Sequence, residues 1–159
     1  MLPGMRRFGE AIVPGQRYRE RPGAYAVILD GGDVLVTEQV APRLEFQLPG
    51  GGIDPGEGAL AALHRECFEE TGWKIRPLRR LGAFQRYAYM PEHDRWARKI
   101  CHVWLARPVA RVGPPREAGH VAVWMPVATA LDRLASDGDR HFLAVAAGAL
   151  KPGCARAHG

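Results

Sequence analysis

Apolar positions along this chain fall into short runs and one helical repeat, separated by glycine and proline. Ala24-Tyr-Ala-Val-Ile-Leu29 is a continuous apolar run of strand length. Asp30-Gly-Gly-Asp33 after it is a tight-turn signal, and Val34-Leu-Val-Thr37 reads as the returning strand. A loop rich in Pro and Gly spans 49–58. From about Gly58 to Thr71 the apolar residues recur at helical spacing, and Gly72 stands where a helix C-terminus is capped. Strands are predicted at 79–89 and 99–107, flanking a polar loop that holds Pro91, Glu92, His93 and Asp94. Beyond Pro114-Pro115, Val121 to Met125 reads as a last strand, and helices are predicted at 127–135 and 139–150. Strands followed by helices, with one helix inserted early, predict a mixed sheet packed between helices. Residues 1–22, rich in Arg, Gly and Pro, read as an extended arm, which leaves 23–159 as the folded domain.

Composition narrows the class. At 159 residues, with 47% hydrophobic and 25% charged positions, one globular domain is the natural expectation, and disordered, coiled-coil and collagen-like chains are excluded. The cysteines Cys67, Cys101 and Cys154 are odd in number, widely spaced and form no CxxC pair, so a reducing compartment is expected. No apolar run follows the arginines of the N-terminus. The longest nearly apolar stretch, Phe142 to Leu150, has nine residues, whereas a membrane span needs about 20. The expectation is a soluble, cytoplasmic protein with no membrane partner.

Charge distribution says more than its sum. Residues 51–73 carry Asp54, Glu57, Glu66, Glu69 and Glu70 against Arg65 alone, so this segment holds −4 while the whole chain holds +5. Basic surroundings steer an anionic ligand inward. A dense acidic patch repels that anion unless a cation lies between them.

On a helical wheel Glu66, Glu69 and Glu70 share an arc of about 100°. Leu60, Leu63, Cys67 and Thr71 occupy another arc, the one expected to face a core. Ala59 and Ala62 beneath the carboxylates leave room for a ligand. Carboxylates three and four residues apart repel each other, and no lysine stands among them. Leu48-Pro-Gly-Gly-Gly52 supplies backbone that can bring carbonyl groups close to an ion. Hard oxygen donors of this kind suit Mg²⁺ or Mn²⁺, which keep waters and also bind substrate phosphates.

Gly51, five residues, Glu57, seven residues, and then Arg65-Glu66-Cys67-Phe68-Glu69-Glu70-Thr71-Gly72-Trp73 resembles the Nudix box, G-x5-E-x7-R-E-U-x-E-E-x-G-U, where U is bulky and apolar. Every charged and glycine position matches. Cys67 and Trp73 stand where Ile, Leu or Val is commoner, and Cys67 reads as a small core residue. The resemblance implies an α/β/α sandwich and a metal-dependent hydrolase. It implies attack of water on a phosphorus of a nucleoside diphosphate linked to another group. It implies that Glu66 and Glu70 bind the divalent metal, joined by Glu69 and by the carbonyl of Gly50. It also implies that Arg65 holds a catalytic glutamate by a salt bridge and that Glu57 supports the loop. The general base in such enzymes is a box glutamate or one on a later loop, and Glu117 is the candidate for the latter.

The substrate is less legible. Tyr89, sixteen residues after Trp73, resembles a tyrosine that recurs in Nudix enzymes acting on dinucleoside polyphosphates. With Arg86 it is a candidate substrate contact, although strand packing accounts for it equally well. Oxidised nucleoside triphosphates, as for MutT enzymes, stay open, and so do RNA 5′ ends, given the basic balance and the aromatics among arginines. A nucleotide-type small molecule is the expected partner, and the oligomeric state is not legible. The alternative of another class is a non-catalytic nucleotide-binding domain, which the loss of box carboxylates would favour; none is lost. His64-Arg65-Glu66 matches half of a zinc-deaminase signature without the P-C-x-x-C that must follow.

Overall fold

The computed structural model describes residues 4–40 and 43–148. Among them, eight strands form one mixed sheet in the order β1-β6-β7-β2-β3-β4. These are β1 (Arg6–Gly9), β2 (Arg19–Asp30), β3 (Asp33–Gln39), β4 (Glu45–Gln47), β6 (Trp73–Met90) and β7 (Arg95–Arg111). Two more pair off this path: β5 (Gly50–Gly52) on β2 and β8 (His120–Pro126) on β3. Pairings β1–β6 and β2–β7 are parallel and the rest antiparallel. Helix α1 (Ala59–Thr71) covers one face, and α2 (Val127–Arg133) and α3 (Asp137–Ala146) cover the other.

The unbroken apolar run of β2 follows from this double cover. Ala24, Ala26 and Ile28 turn to the α1 side, where they meet Ala62, Leu63 and Cys67. Val27, with Tyr25 and Leu29 alongside, turns to the other side and joins Leu48, Phe84, Phe142 and Leu143. Leu63 and Leu143 are fully buried, and each gains about 1.5–3 kcal/mol from leaving water. The Asp30–Asp33 turn is a two-residue hairpin loop in which Gly31 takes a positive φ of 60°. Gly72 ends α1 at φ 75° with its N–H on the Phe68 carbonyl, 2.8 Å away.

The mixed sheet between helices is as the pattern predicts. Several local expectations are corrected. Leu60, expected on the core face of α1, is 49% exposed, and Glu70 is buried near the helix C-terminus beside Cys67 and Thr71. The segment expected as an arm contributes β1 and the first residues of β2 to the sheet. Strands predicted at 79–89 and 99–107 extend to 73–90 and 95–111, with register shifts around Lys74/Ile75, Pro77/Arg79 and Arg80/Gly82. The polar loop between them shrinks to a 3-10 turn, Pro91–His93, closed by Asp94 in left-handed conformation at φ 46°. Helix α2 stops at Arg133 and α3 at Ala146; Leu150 and Cys154 lie outside the described residues. Cys67 and Cys101 are free and buried. No helix among the described residues is long and apolar enough to cross a membrane.

Candidate metal and phosphate site

Three segments meet at the site: the carboxylate face of α1, the glycine strand β5 and the loop that leads into β8. Gly50 is held at φ 148°, and a Cβ there would lie 2.6 Å from the Cα of Tyr25, so only glycine lets β5 lie this close to β2. That close approach turns the Gly50 N–H onto Glu70 Oε1 at 3.0 Å. Gly51 is crowded from the helix side by a side chain, because a Cβ would lie 2.5 Å from the Glu66 carboxyl carbon. The helix and the glycine strand thus pack carboxylate against bare backbone.

Arg65 organises the charges. Its Nε and Nη2 each donate to Glu57 at 2.8 Å, Nη1 donates to Glu66 at 2.8 Å and to Glu69 at 3.4 Å, and Nη2 also reaches the Gly52 carbonyl at 3.1 Å. This two-pronged grip holds Glu57 down at about 2, helped by the Asp54 N–H on Glu57 Oε1 at 3.0 Å. Burial instead raises Glu66, and Arg65 opposes that rise without cancelling it. Glu70 is only 7% exposed, and burial pushes its carboxyl up to about 8 despite the Gly50 N–H; the charges of Glu117, Glu66 and Glu69 add to the rise.

The loop after β7 closes the third side. Its N–H groups at Arg116 and Glu117 both donate to the Glu69 carbonyl, at 2.8 and 3.0 Å, and the Arg116 guanidinium lies 4.8 Å over the Phe68 ring. These bonds satisfy a carbonyl that the end of α1 leaves open, and they bring Glu117 and His120 over Glu70. His120 Nε2 is 3.3 Å from Glu70 Oε2, and Nδ1 is 4.0 Å from Glu117 Oε2.

The structure therefore brings together Gly50, Glu57, Arg65, Glu66, Glu69, Glu70 and Glu117. Tyr89 and Arg86 are placed elsewhere on the sheet. Tyr89 donates its hydroxyl to Asp94 and packs on Trp96 with ring centroids 5.2 Å apart, as a strand-face residue does. Arg86 lines a small cavity of about 70 Å³ on the α3 face with Tyr25, Lys99, Cys101 and Asp139. Asp139 is buried there, accepts the Leu48 N–H at 3.1 Å, and is pushed up to about 6 by burial.

Two of these residues escape sequence reasoning. Asp139 has only a weak signal, an acid three residues after the capping Ser136 of α3. His120 has one that could have found it, a histidine three residues after the candidate base Glu117 at the start of the strand.

The donor set fits a divalent cation. Glu66 and Glu69 lie on one side of the site, tied together by Arg65, and Glu70 and Glu117 on the other. Glu70, Glu117 and His120 each offer a ligand atom, and those atoms lie within 4.8 Å of one another. Hard oxygens at that density match Mg²⁺ or Mn²⁺.

Known proteins are similar to this chain. The chain is 36% identical over 72 residues to a putative 8-oxo-dGTP diphosphatase of Bacillus subtilis, covering 44% of this chain and 47% of that protein. It is 40% identical over 57 residues to an RNA pyrophosphohydrolase of Helicobacter pylori, covering 33% of this chain and 37% of that one. The chain thus spans less than half the length of these relatives. Among solved structures, a MutT protein from Methanosarcina mazei superposes with a TM-score of 0.65 at 23% identity, covering 85% of this chain and 98% of that one. A NUDIX hydrolase from Nitrosomonas europaea superposes with a TM-score of 0.66 at 20% identity, covering 82% and 90%. These likenesses establish the fold. The family model of the NUDIX domain matches residues 19–146, from the start of β2 to the end of α3, and the chain belongs to the NUDIX family.

Proposed function

We propose that this chain hydrolyses a phosphoanhydride bond of a nucleoside diphosphate linked to a further group, by attack of water on phosphorus. The observation that carries this reading is the packing of Glu66 and Glu70 against the bare backbone of Gly50 and Gly51, with Arg65 gripping Glu57 and Glu66. Glu66, Glu70, Glu69 and the Gly50 carbonyl would hold Mg²⁺ or Mn²⁺. When bound, such an ion neutralises the diphosphate and lowers the pKa of a water.

The protein's own groups supply the rest. Arg65 fixes Glu66 from the side, so the carboxylate does not have to be ordered when substrate arrives. Glu117 is the proposed base: it is partly open to solvent and its backbone is pinned to the Glu69 carbonyl. All box carboxylates are present, so a purely binding role is not favoured.

For substrate we favour nucleoside triphosphates, including oxidised ones, which the Bacillus subtilis relative's name also indicates. In support, the α3-face cavity places the cations Arg86 and Lys99 beside the buried Asp139, and Tyr25 on its wall neighbours Gly50. A second reading, removal of pyrophosphate from RNA 5′ ends, draws on a groove of about 530 Å³ by the β6–β7 turn. Arg17, Tyr18, Arg19, Arg95 and Trp96 line it, cations beside aromatic faces.

The test is product release from a panel of normal and oxidised dNTPs, triphosphorylated RNA, dinucleoside polyphosphates and ADP-ribose, with Mg²⁺ or Mn²⁺. Glu70→Gln is run alongside. A triphosphate turned over far faster than the rest, by the wild type alone, supports the first reading. Preference for triphosphorylated RNA favours the second, and no turnover of anything overturns both.

A further inference from the structure

We infer that His120 is itself a metal ligand beside Glu70, with Glu117 next to its ring, so that the site carries a nitrogen donor and discriminates Mn²⁺ and Co²⁺ from Mg²⁺. This rests on the reading that the carboxylate face holds a divalent cation, and it concerns a residue outside the box.

Geometry comes first. Donor atoms on one octahedral ion lie about 3 Å apart when adjacent and about 4.2 Å apart when opposite, for bonds of about 2.1 Å. His120 Nε2 stands 3.3 Å from Glu70 Oε2, close to the spacing of adjacent donors, and the three residues each offer one ligand atom within 4.8 Å of the others. Glu70 Oε1 is already taken by the Gly50 N–H, so Oε2 is the oxygen left for an ion, and it is the one that faces His120.

The state of the ring comes second. The His120 side chain is 11% exposed, and its Nδ1 is shut off from water without any hydrogen-bond partner. A histidine kept for structure has its ring nitrogens bonded, since a buried polar atom without a partner destabilises the fold. With Nε2 as the ligand, Nδ1 is the ring nitrogen turned to Glu117 Oε2, 4.0 Å away, on the side where a metal-bound imidazole takes a carboxylate partner.

Placement comes third. His120 pairs with Gln39 in the β3–β8 ladder, the preceding Gly119 carbonyl accepts the Val40 N–H at 3.3 Å, and Glu117 is pinned to the Glu69 carbonyl. The imidazole is delivered by sheet backbone and not by a free loop. An imidazole donor favours Mn²⁺, Co²⁺ and later metals, whereas Mg²⁺ selects oxygen.

The experiment uses the full chain with metal alone: Mn²⁺, Co²⁺ or Mg²⁺ at one fixed pH. Pulsed EPR of bound Mn²⁺ reads nitrogen coupling, and calorimetry reads affinities, for wild type, His120→Gln and Glu117→Gln. Expected is a histidine nitrogen coupling in the wild type that His120→Gln abolishes. Co²⁺ affinity should fall at least about tenfold in that variant, with Mg²⁺ changed by less than about threefold. Absence of nitrogen coupling in the wild type overturns the inference even if His120→Gln fails to fold. A Co²⁺ to Mg²⁺ affinity ratio unaltered in a folded His120→Gln overturns it too. Hydrolysis is assayed on the same samples. Nitrogen coupling without turnover of any nucleotide sinks the hydrolase reading and leaves the ligand standing, and turnover without coupling does the reverse.

Discussion

Gly51→Ala adds one methyl group and no charge, and it is expected to disable the site while leaving the fold intact. The new Cβ would lie 2.5 Å from Glu66 Cδ and 2.9 Å from Oε1, where ordinary contact is 3.4–4 Å. The carboxylate must therefore retreat by about 1 Å, and a displacement of that size at a positioned group costs about 10²-fold in rate. The retreat is resisted, because Arg65 Nη1 holds Glu66 Oε1 at 2.8 Å. Backbone strain does not enter, since Gly51 lies outside the left-handed region. The clash falls on the far end of a flexible side chain, so unfolding free energy should change by no more than about 1 kcal/mol.

The assay pairs kcat and Mn²⁺ affinity with a denaturation curve. Gly52→Ala is the matched comparison: its Cβ would meet only Arg21 Nη2, at 3.8 Å, and it should keep most of its activity. If Gly51→Ala retains wild-type kcat and Mn²⁺ affinity, Glu66 is not held against the glycine strand in the working protein, and the site as described is wrong.

Arg65→Lys puts a single point charge where a planar fork now makes two bonds of 2.8 Å to Glu57 and one to Glu66. Activity should fall and the Glu57 carboxyl should climb from about 2 toward its ordinary value, read by NMR titration of side-chain carboxyls. Because the folded value is depressed, Glu57 lends stability above its unfolded pKa and loses it as pH falls through about 2; an unmoved titration would show that Arg65 is not the cause. Asp139 runs the opposite way. Its folded carboxyl is raised to about 6 from 3.8, so its proton-linked stability is full below 3.8 and is lost as pH rises through about 6, by up to about 3 kcal/mol. Asp139→Asn keeps an acceptor for the Leu48 N–H and should flatten this part of the stability–pH curve in urea denaturation; an identical slope in both proteins refutes the assignment.

How much of this was legible in the sequence varies with the range of the interactions involved. Helix α1, its cap at Gly72 and the order of the main strands follow from periodicity and turn residues, which act over a few positions. Strand β5 was hidden because Gly50-Gly51-Gly52 has no strand propensity; it pairs with β2 only because no Cβ obstructs the approach. The length of β6 was hidden by Pro77 and Gly82, which the sheet absorbs by shifts of register. On α1 the wheel placed the carboxylates on one arc but did not show that Glu70, and not Leu60, would be enclosed. That outcome depends on β5 and on the 116–120 loop closing over the end of the helix, both set by tertiary contacts. His120 and Asp139 were missed for the same reason. The local signals of these residues, a histidine three positions after Glu117 and an acid three after Ser136, gain their meaning only from the buried groups brought to them.

The burial of Glu70 also explains why the site needs the rest of the fold. Glu66, Glu69 and Glu117 each add negative charge around Glu70, and the Arg65 guanidinium is turned mainly toward Glu57. Glu70 receives one backbone N–H and faces the His120 imidazole, yet burial, with the neighbouring carboxylates, raises it to about 8. A helix optimised for stability alone would put an apolar residue there. The two cores on either face of the sheet offset that cost, and the same strand β2 that feeds both also carries β5 against Glu70. The carboxylates are therefore positioned before any cation arrives, and the energy of cation binding is not spent on folding the helix or ordering the loop. The NUDIX fold supplies this preorganisation through α1 and β5.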